Sequence, residues 1–399
     1  MKVGKEDGIV SFALVNGQVL QGQEFVAADV VIDGEKIKRV GRSATGGFVG
    51  EKIDLAGAKV SSGLLDLHFH GLKDKTAVWH DLNDLGRYEA EFGVTGFLAG
   101  LAAPRAECCK ILEKKRLEKA RMKGGARCLG FYLEGPFIAL PGAILPEWIE
   151  RPDVGYAREL LAVGGADIKV MMVSPELPGV IGLIELLVSS GVVVALGHTD
   201  ASVEQMAAAV DAGATLATHT YNVVDALPEI VEPGVWPVCG YDGLVADDRV
   251  TCELICDGIH VHPIKARITY KAKGVDRLAI ITDCNTGAGL PPGRYEFPGW
   301  HAVEIRPGDA VRDAEHGWLA GSAITVDEGV RRSGRVLGCR LADACVMASR
   351  TIADVLNLGH HLGRVRPGYD ADLTVLDGDG RPAMTIVAGR IVWRKGETQ

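Results

Sequence analysis

Two histidines separated by a single residue, His68 and His70, end the apolar stretch that begins at Gly63. In an extended strand, residues two apart project to the same face, so both imidazoles can converge on one metal ion. Taken alone, the pair could equally be two histidines at the edge of a loop. Other residues in the chain decide between these interpretations.

Four more side chains that could bind a metal or transfer a proton end other apolar segments: Glu134, His198, His219 and Asp283. Each has an ordinary alternative, because Glu134 and His198 suit helix starts and Asp283 suits an Asx turn. Six such residues at equivalent positions favour a metal centre instead. Imidazole and carboxylate are the ligands expected of Zn²⁺ or a similar divalent ion.

The elements that must position these residues are predicted from the apolar pattern. Eight apolar segments, most followed by helical sequence, lie near residues 63–69, 94–100, 128–134, 168–174, 192–198, 214–219, 252–259 and 277–283. Buried strands that alternate with helices are typical of a parallel sheet covered on both faces. We therefore predict an α/β fold, a (β/α)8 TIM barrel whose active site lies at the C-terminal ends of its strands.

Both ends of the chain carry strand and turn signals. Asn16-Gly17 and Asp33-Gly34 separate apolar runs near the start, and Ile391-Val392-Trp393 continues the pattern at the end. Asn-Gly and Asp-Gly between apolar runs are strong hairpin signals. We predict a small β-sandwich domain built from residues 1–60 and 363–399, with the barrel occupying residues 61–362.

Charge and cysteine content limit partners and location. The 399 residues carry a formal net charge of -9 with mixed signs, which argues against a nucleic-acid partner. No apolar run reaches bilayer-spanning length, so no membrane partner is expected. The nine cysteines are odd in number and follow no disulfide framework, which predicts a reducing, cytoplasmic location.

Longer motifs around these residues resemble the amidohydrolase superfamily and, within it, the N-acetylglucosamine-6-phosphate deacetylase family. The resemblance extends over nearly the whole chain and implies a homodimer with a small-molecule substrate. The residues that carry it are Gly63 to Gly71, Leu133-Glu134-Gly135-Pro136-Phe137, Ser174-Pro175-Glu176, Leu196-Gly197-His198-Thr199, Thr218-His219-Thr220-Tyr221-Asn222, Cys256-Asp257-Gly258-Ile259-His260 and Ile281-Thr282-Asp283.

The resemblance also implies a role for each candidate residue. Glu134, His198 and His219 look like the primary metal ligands, and Asp283 looks like the catalytic acid/base. With His68 and His70 both present, the site could hold one or two Zn²⁺ ions, bridged by Glu134 in the second case. The implied substrate-binding positions are Asn222, Val223, His260 and Ile144.

These parts predict hydrolysis of a linear amide, here a deacetylation. A divalent metal lowers the pKa of bound water from 15.7 to roughly 7–9, so metal-bound hydroxide can attack the amide carbonyl at neutral pH. Asp283 would take the proton of the water and then give it to the departing amine.

Two departures from the family pattern concern the substrate. Family members usually carry a histidine that touches the substrate where this chain has Ile144, and an arginine that grips the substrate phosphate across the dimer where it has Val231. Loss of such an arginine removes a charge-assisted contact. Asp225, Glu229 and Glu232 add negative charge nearby. We therefore expect an N-acyl amine other than the 6-phosphate sugar, such as a neutral amino sugar.

Other interpretations remain open from the sequence. A cyclic amidase of the hydantoinase or dihydroorotase type would need a carboxylated lysine at the end of the fourth strand, but Lys169 is predicted at its start. A deaminase would need a His-x-x-Glu pattern, and a non-enzymatic scaffold would show missing ligands. The stretch from Pro291 to Val311 predicts a hairpin-like insertion that is either a lid over the pocket or a surface decoration.

Overall fold

The computed structural model describes residues 11–224, 233–297 and 302–397. The first strands combine runs of buried residues with exposed positions, as expected of a sheet that is only partly covered. The strands are β1 Ser11–Gln21, β2 Glu24–Asp33, β3 Lys36–Gly41, β4 Glu51–Asp54 and β5 Lys59–Ser62. Antiparallel pairing joins β1 to β2 and β2 to β3.

The barrel strands follow, and their residues are nearly all buried because both faces of the sheet are covered. The strands are β6 Leu64–Phe69, β9 Val94–Leu101, β10 Arg127–Leu133, β11 Ile168–Val173, β12 Val193–Leu196, β13 Leu216–Ala217, β14 Thr251–Ile255 and β15 Leu278–Ile281, with a short ribbon of β7 Gly71–Leu72 and β8 Lys75–Thr76 after the first. All neighbours pair in parallel.

The barrel closes between its last and first strands. The Asp283 backbone N–H donates to the His68 carbonyl at 2.9 Å, and the His70 N–H donates to the Cys284 carbonyl at 3.0 Å. The predicted (β/α)8 architecture is therefore confirmed. The closing hydrogen bonds also bring the ends of the first and eighth strands, where candidate residues lie, into direct contact.

Helices pack around the barrel. They are α1 Leu82–Glu91, α2 Arg105–Arg121, α3 Val154–Gly164, α4 Val180–Ser189, α5 Val203–Asp211, α6 Gly240–Ala246 and α7 Pro263–Lys273. Local capping fixes several starts: Asp81 accepts from the Asn83 N–H, and Ser202 forms a capping box with Gln205. Within the described ranges, no helix has the length and apolar character needed to cross a bilayer.

An insertion separates the eighth strand from the next helix. It contains a three-stranded antiparallel sheet of β16 Gly293–Tyr295, β17 Val303–Ile305 and β18 Val311–Asp313. Helices α8 Val326–Val336, α9 Leu341–Met347 and α10 Arg350–Val355 complete the outer layer.

The chain ends with β19 Leu373–Leu376, β20 Pro382–Val387 and β21 Arg390–Arg394. These strands join the N-terminal ones in one sheet of order β21-β20-β19-β5-β1-β2-β3, with β4 also paired to β1. The termini therefore share a β unit, as the turn signals predicted. The exact domain boundaries, 1–60 with 363–399 and 61–362, stay a prediction.

The barrel interior is filled with side chains rather than open. Leu65, Leu67, Tyr132, Val170 and Ile281 belong to one buried apolar cluster beneath the C-terminal rim. Because this packing closes the interior, polar chemistry is confined to the rim above it.

Candidate active site

The six rim residues predicted from sequence come together at the C-terminal ends of the strands. Glu134 lies at their centre: its Oε1 is 3.2 Å from His198 Nε2 and 3.4 Å from His219 Nε2, and its Oε2 is 3.1 Å from His70 Nε2. His68 Nε2 lies 3.6 Å from Glu134 Oε1 and 3.0 Å from His70 Nε2. All of these side chains are at least largely buried.

Asp283 faces the same centre from the eighth strand. Its Oδ1 lies 3.5 Å from His70 Nε2 and 3.7 Å from His68 Nε2. The donor atoms form two groups that share Glu134, and within each group the atoms lie within 4.8 Å of one another. The first group is His68, His70, Glu134 and Asp283, and the second is Glu134, His198 and His219.

The donor set fits a divalent metal. Ligands about 2.0–2.2 Å from a tetrahedral ion lie roughly 3.3–3.6 Å apart, close to the separations measured between Glu134 and the imidazoles. The ring nitrogens of His68 and His70 point at each other at 3.0 Å, an arrangement that a shared cation relieves. Glu134 belongs to both groups, with Oε1 facing His198, His219 and His68 and Oε2 facing His70, so it would be a ligand whichever group holds a metal.

Buried hydrogen bonds orient the imidazoles. His198 Nδ1 donates to the Leu140 carbonyl at 2.7 Å, and His68 Nδ1 donates to Glu253 Oε2 at 3.1 Å. Each bond places the ring proton on Nδ1 and leaves the Nε2 lone pair for a metal. Glu253 also accepts from the His219 backbone N–H at 3.2 Å, so one carboxylate steadies two strands of the rim.

The electrostatics of the cluster are those of a cation site. Burial would raise the pKa of Glu134, but His70 and the other imidazoles hold it well below its usual value. Burial lowers the pKa of His68, yet Asp283, Glu253 and Glu134 together raise it to about 10. The field at the rim is therefore negative, which favours a bound positive charge.

The backbone at the rim departs from regular strand geometry. His198, His219 and Asp283 have φ angles of 50°, 22° and 48°, the left-handed region that non-glycine residues rarely occupy. Such conformations cluster at functional sites because they direct side chains toward positions that the side chains of a regular strand cannot reach. The predicted fifth and sixth strands consequently end early, at Leu196 and Ala217.

Two glycines leave room for the histidines. A Cβ added at Gly100 would lie 2.7 Å from the His70 ring. One at Gly142, where φ is 56°, would lie 2.9 Å from His198 and 3.1 Å from Val223. Glycine at these positions therefore lets backbone approach the metal-facing imidazoles.

A cavity of about 520 Å³ opens above the cluster, a volume suited to a small organic ligand. The four positions implied in substrate binding, Asn222, Val223, His260 and Ile144, all line it. Their contact with substrate stays a prediction. His260 is fixed by Asp257 at 2.6 Å. The departures at Val231, Asp225, Glu229 and Glu232 lie outside the described residues.

The insertion after β15 contributes to the cavity wall. Arg312 and Trp318 from this segment line the cavity, followed by Leu319, Ala320 and Gly321. The insertion is therefore more than a surface decoration. Lys169, in contrast, is the second residue of β11 and lies at the opposite end of the barrel, as expected.

The residues at the site that sequence reasoning missed include Glu253, Trp79, Arg312 and Trp318. Glu253 had a usable signal, because a single carboxylate interrupts an otherwise uncharged buried strand, Thr251-Cys252-Glu253-Leu254-Ile255. The other three carry no sequence signal, since Trp79 and Trp318 come from loops and Arg312 from a short strand of the insertion, whose positions depend on the assembled fold.

Comparisons with known proteins agree with this geometry. Residues 60–392 match the amidohydrolase family. The chain is 31% identical over 347 residues to an N-acetylglucosamine-6-phosphate deacetylase of Lysinibacillus sphaericus, covering 86% of this chain and 87% of the relative. It is 34% identical over 322 residues to an N-acetylgalactosamine-6-phosphate deacetylase of Escherichia coli O157:H7, covering 78% and 82%.

A solved structure gives the same result. It is a variant of N-acetyl-D-glucosamine-6-phosphate deacetylase from Mycobacterium smegmatis in complex with N-acetyl-D-glucosamine-6-phosphate, with a TM-score of 0.85, 28% identity, and 96% of this chain and 99% of that chain covered. The fold and the rim define a metal-dependent amide hydrolase. The chain belongs to the amidohydrolase family, and its activity is that of a deacetylase acting on linear amide bonds.

Proposed function

We propose that this deacetylase removes the acyl group from an amino sugar or related amine that carries no phosphate. The supporting observation is a contrast within one cavity. Its base assembles the complete set of hydrolytic side chains, while among the described lining residues Arg312 is the only arginine or lysine. A phosphate monoester normally requires several unpaired cationic or N–H donors.

Arg312 and His260 in the cavity wall are already paired with carboxylates. Arg312 Nε and Nη2 donate to Asp309 at 2.7 and 3.0 Å, and its Nη1 donates to the Gly317 carbonyl at 2.9 Å. His260 lies against Asp257. Since the Arg312 guanidinium has a matched carboxylate in Asp309, it offers little net attraction to a doubly charged phosphate.

Asp283 would carry the proton transfer. Its backbone is fixed by the bond to His68, and its carboxylate faces the cavity beside the histidines. There its oxygen would accept a proton from the attacking water and later deliver it to the amine nitrogen, which cannot leave as an anion. A metal held by Glu134, His198, His219, His68 and His70 would acidify that water and polarise the carbonyl.

We propose Zn²⁺ as the metal, because the donors are imidazole and carboxylate with separations suited to tetrahedral binding. Elemental analysis of protein purified without added metal tests this, and either one or two equivalents of zinc is the expected result. Another metal that alone restores turnover would replace zinc in the proposal.

We also propose a homodimer in the cytoplasm. Val235, Trp236 and Val238 expose 60%, 89% and 64% of their surfaces in one short segment, which favours a protein contact there. All nine cysteines are free thiols, as expected in a reducing compartment. Sedimentation tests the dimer: a monomer at micromolar concentration contradicts it. Cell fractionation tests the location.

The decisive experiment compares amine release from N-acetylglucosamine and N-acetylgalactosamine with release from their 6-phosphates, using zinc-loaded protein. We expect a higher kcat/KM on a neutral substrate. A value above about 10⁴ M⁻¹ s⁻¹ on a phosphorylated sugar, ordinary for a true substrate, would contradict the proposal.

A matched variant sharpens this comparison. Val231→Arg combined with Ile144→His restores both family residues and should raise kcat/KM for the 6-phosphate by about ten-fold or more, because a charged hydrogen bond contributes about 1.5–3 kcal/mol. The same variant should gain nothing on the neutral sugar.

A further inference from the structure

One aromatic side chain in the cavity wall is unusually placed. Trp318 lines the cavity but leaves 53% of its surface exposed. The indole is a large apolar group, and leaving half of it in water forgoes the stabilisation that burial provides. An exposed tryptophan at the mouth of a substrate cavity is the arrangement expected of a binding surface rather than of a packing residue.

The ring is supported on one face. The His316 imidazole stacks on Trp318 with ring centroids 4.2 Å apart and an interplanar angle of 8°. His316 therefore covers one face of the indole, while 53% of the Trp318 surface remains exposed. We call this pair the Trp318 shelf.

Hydrogen bonds hold the shelf in place. His316 Nδ1 donates to Asp313 Oδ1 at 2.9 Å, and Asp313, which is 2% exposed, also accepts from the His316 backbone N–H at 2.7 Å. The Asp313 N–H donates to the Trp318 carbonyl at 2.9 Å, and Arg312 binds the Gly317 carbonyl. Because this turn is already held by hydrogen bonds, it loses little conformational entropy when a ligand binds.

The remaining wall has matching chemistry. Trp79, Val78 and Leu319 line the cavity together with Trp318, and the adjacent guanidinium of Arg312 is neutralised by Asp309. Flat apolar surface with little net charge favours a ligand that is itself flat and uncharged. It does not favour a phosphate or a carboxylate.

We infer that Trp318 is a specificity-determining residue that stacks on a second ring, attached to the N-acylated unit whose amide lies at the metal cluster. The ligand class is an uncharged ring with one apolar face, supplied either by an aryl group or by a second sugar. This inference rests on the proposed function, because it extends the substrate that the cluster hydrolyses.

Binding of amine products tests the inference without requiring turnover. Titration calorimetry on the zinc-loaded protein would compare phenyl β-glucosaminide with methyl β-glucosaminide, which differ only in the ring. We expect the phenyl compound to bind about five- to ten-fold more tightly, the size of one aromatic contact. Equal Kd values for the two compounds would overturn the inference.

Variants of Trp318 test whether the preference for the phenyl compound comes from the Trp318 shelf. Trp318→Ala should remove most of the phenyl-over-methyl ratio, and Trp318→Phe should retain much of it because a ring remains. Glu315→Ala, an exposed change in the same turn, is the matched control and should leave the ratio at the wild-type value. An equal loss in the Glu315 and Trp318 variants would contradict a stacking role.

A third compound distinguishes the two sources of the ring. A glucosaminide bearing a second sugar should show the same Trp318 dependence if the natural substrate is an oligosaccharide, and dependence for the phenyl compound alone identifies an aryl group. Failure of the proposed function would appear separately, as a kcat/KM above about 10⁴ M⁻¹ s⁻¹ on a 6-phosphate sugar while the ratio of product affinities persists.

Discussion

Two clusters of buried carboxylates lie near the first barrel strand, and their ionisation differs. At the rim, Glu134 is surrounded by imidazoles and its pKa lies well below the usual value. Between the strand and the helices, burial raises the pKa of Asp66 to about 7, and burial with the charges of Asp66 and Asp327 raises that of Glu89 well above its usual value.

The neighbours explain the difference. Asp66 accepts hydrogen bonds from the Thr282 hydroxyl at 2.5 Å and from the His68 N–H at 3.2 Å, which only partly offset its burial. Glu89 Oε2 is buried without a hydrogen-bond partner among the described residues. Burial alone therefore produces a protonated acid, whereas burial among imidazoles produces an anion ready to bind a metal. The rim cluster serves chemistry, and the outer cluster serves packing.

Metal removal should give the largest effect, because it acts only on the rim cluster. Dialysis against a chelator is expected to abolish amide hydrolysis, and added Zn²⁺ should restore it. The melting temperature should rise again on reloading, since a ligand that binds only the folded state stabilises it. Full turnover by protein shown to be metal-free would invalidate the distinction between the clusters.

Asp283→Asn should reduce the rate of amide hydrolysis somewhat less than metal removal does. The amide keeps the shape of the side chain but cannot accept the proton of the water, so kcat should fall by about 10²–10⁴-fold. Zinc content and melting temperature should stay close to wild type. A kcat within ten-fold of wild type would show that another group transfers the proton.

Glu253→Gln tests the support beneath the rim. Glu253 accepts from both the His68 ring and the His219 backbone, and loss of such a partner typically weakens metal binding by about 10–100-fold. Competition with a zinc chelator measures the change. If affinity is unchanged, the carboxylate contributes only to packing.

Glu89→Gln should have the smallest effect and no effect on zinc content. The pKa of Glu89 is raised in the folded protein, so its stabilising contribution is complete below the unfolded pKa and is lost as the pH rises. Glutamine does not ionise and avoids that loss. The variant should match wild type near pH 4 and melt roughly 2 °C higher at pH 8, the shift that about 1 kcal/mol produces.

Glu91→Gln on the same helix is the control for this measurement. Glu91 is partly exposed and pairs with Lys73 at 2.9 Å, so removing its charge should not stabilise the protein at pH 8. If the melting temperature at pH 8 rises equally in both variants, a general reduction of negative charge explains the result, and the outer cluster has no special role.

The sequence alone determined the barrel and the residues at its rim. Apolar segments ended by His70, Glu134, His198, His219 and Asp283 predict both the strands and their catalytic edge, since parallel strands of a barrel all end on the same side. The Asn-Gly and Asp-Gly turns likewise predicted that both termini contribute strands to one β unit. These predictions depend on local periodicity, which a sequence displays directly.

Only the tertiary structure decided which residues lie around those positions. Glu253 meets His68 because strands far apart in the chain face each other across the barrel, and Trp318 reaches the cavity because an insertion folds back over the rim. The same is true of Asp66 and Glu89, whose protonation depends on the helices that exclude water from them. Burial and long-range proximity arise when the chain assembles, so no local pattern encodes them.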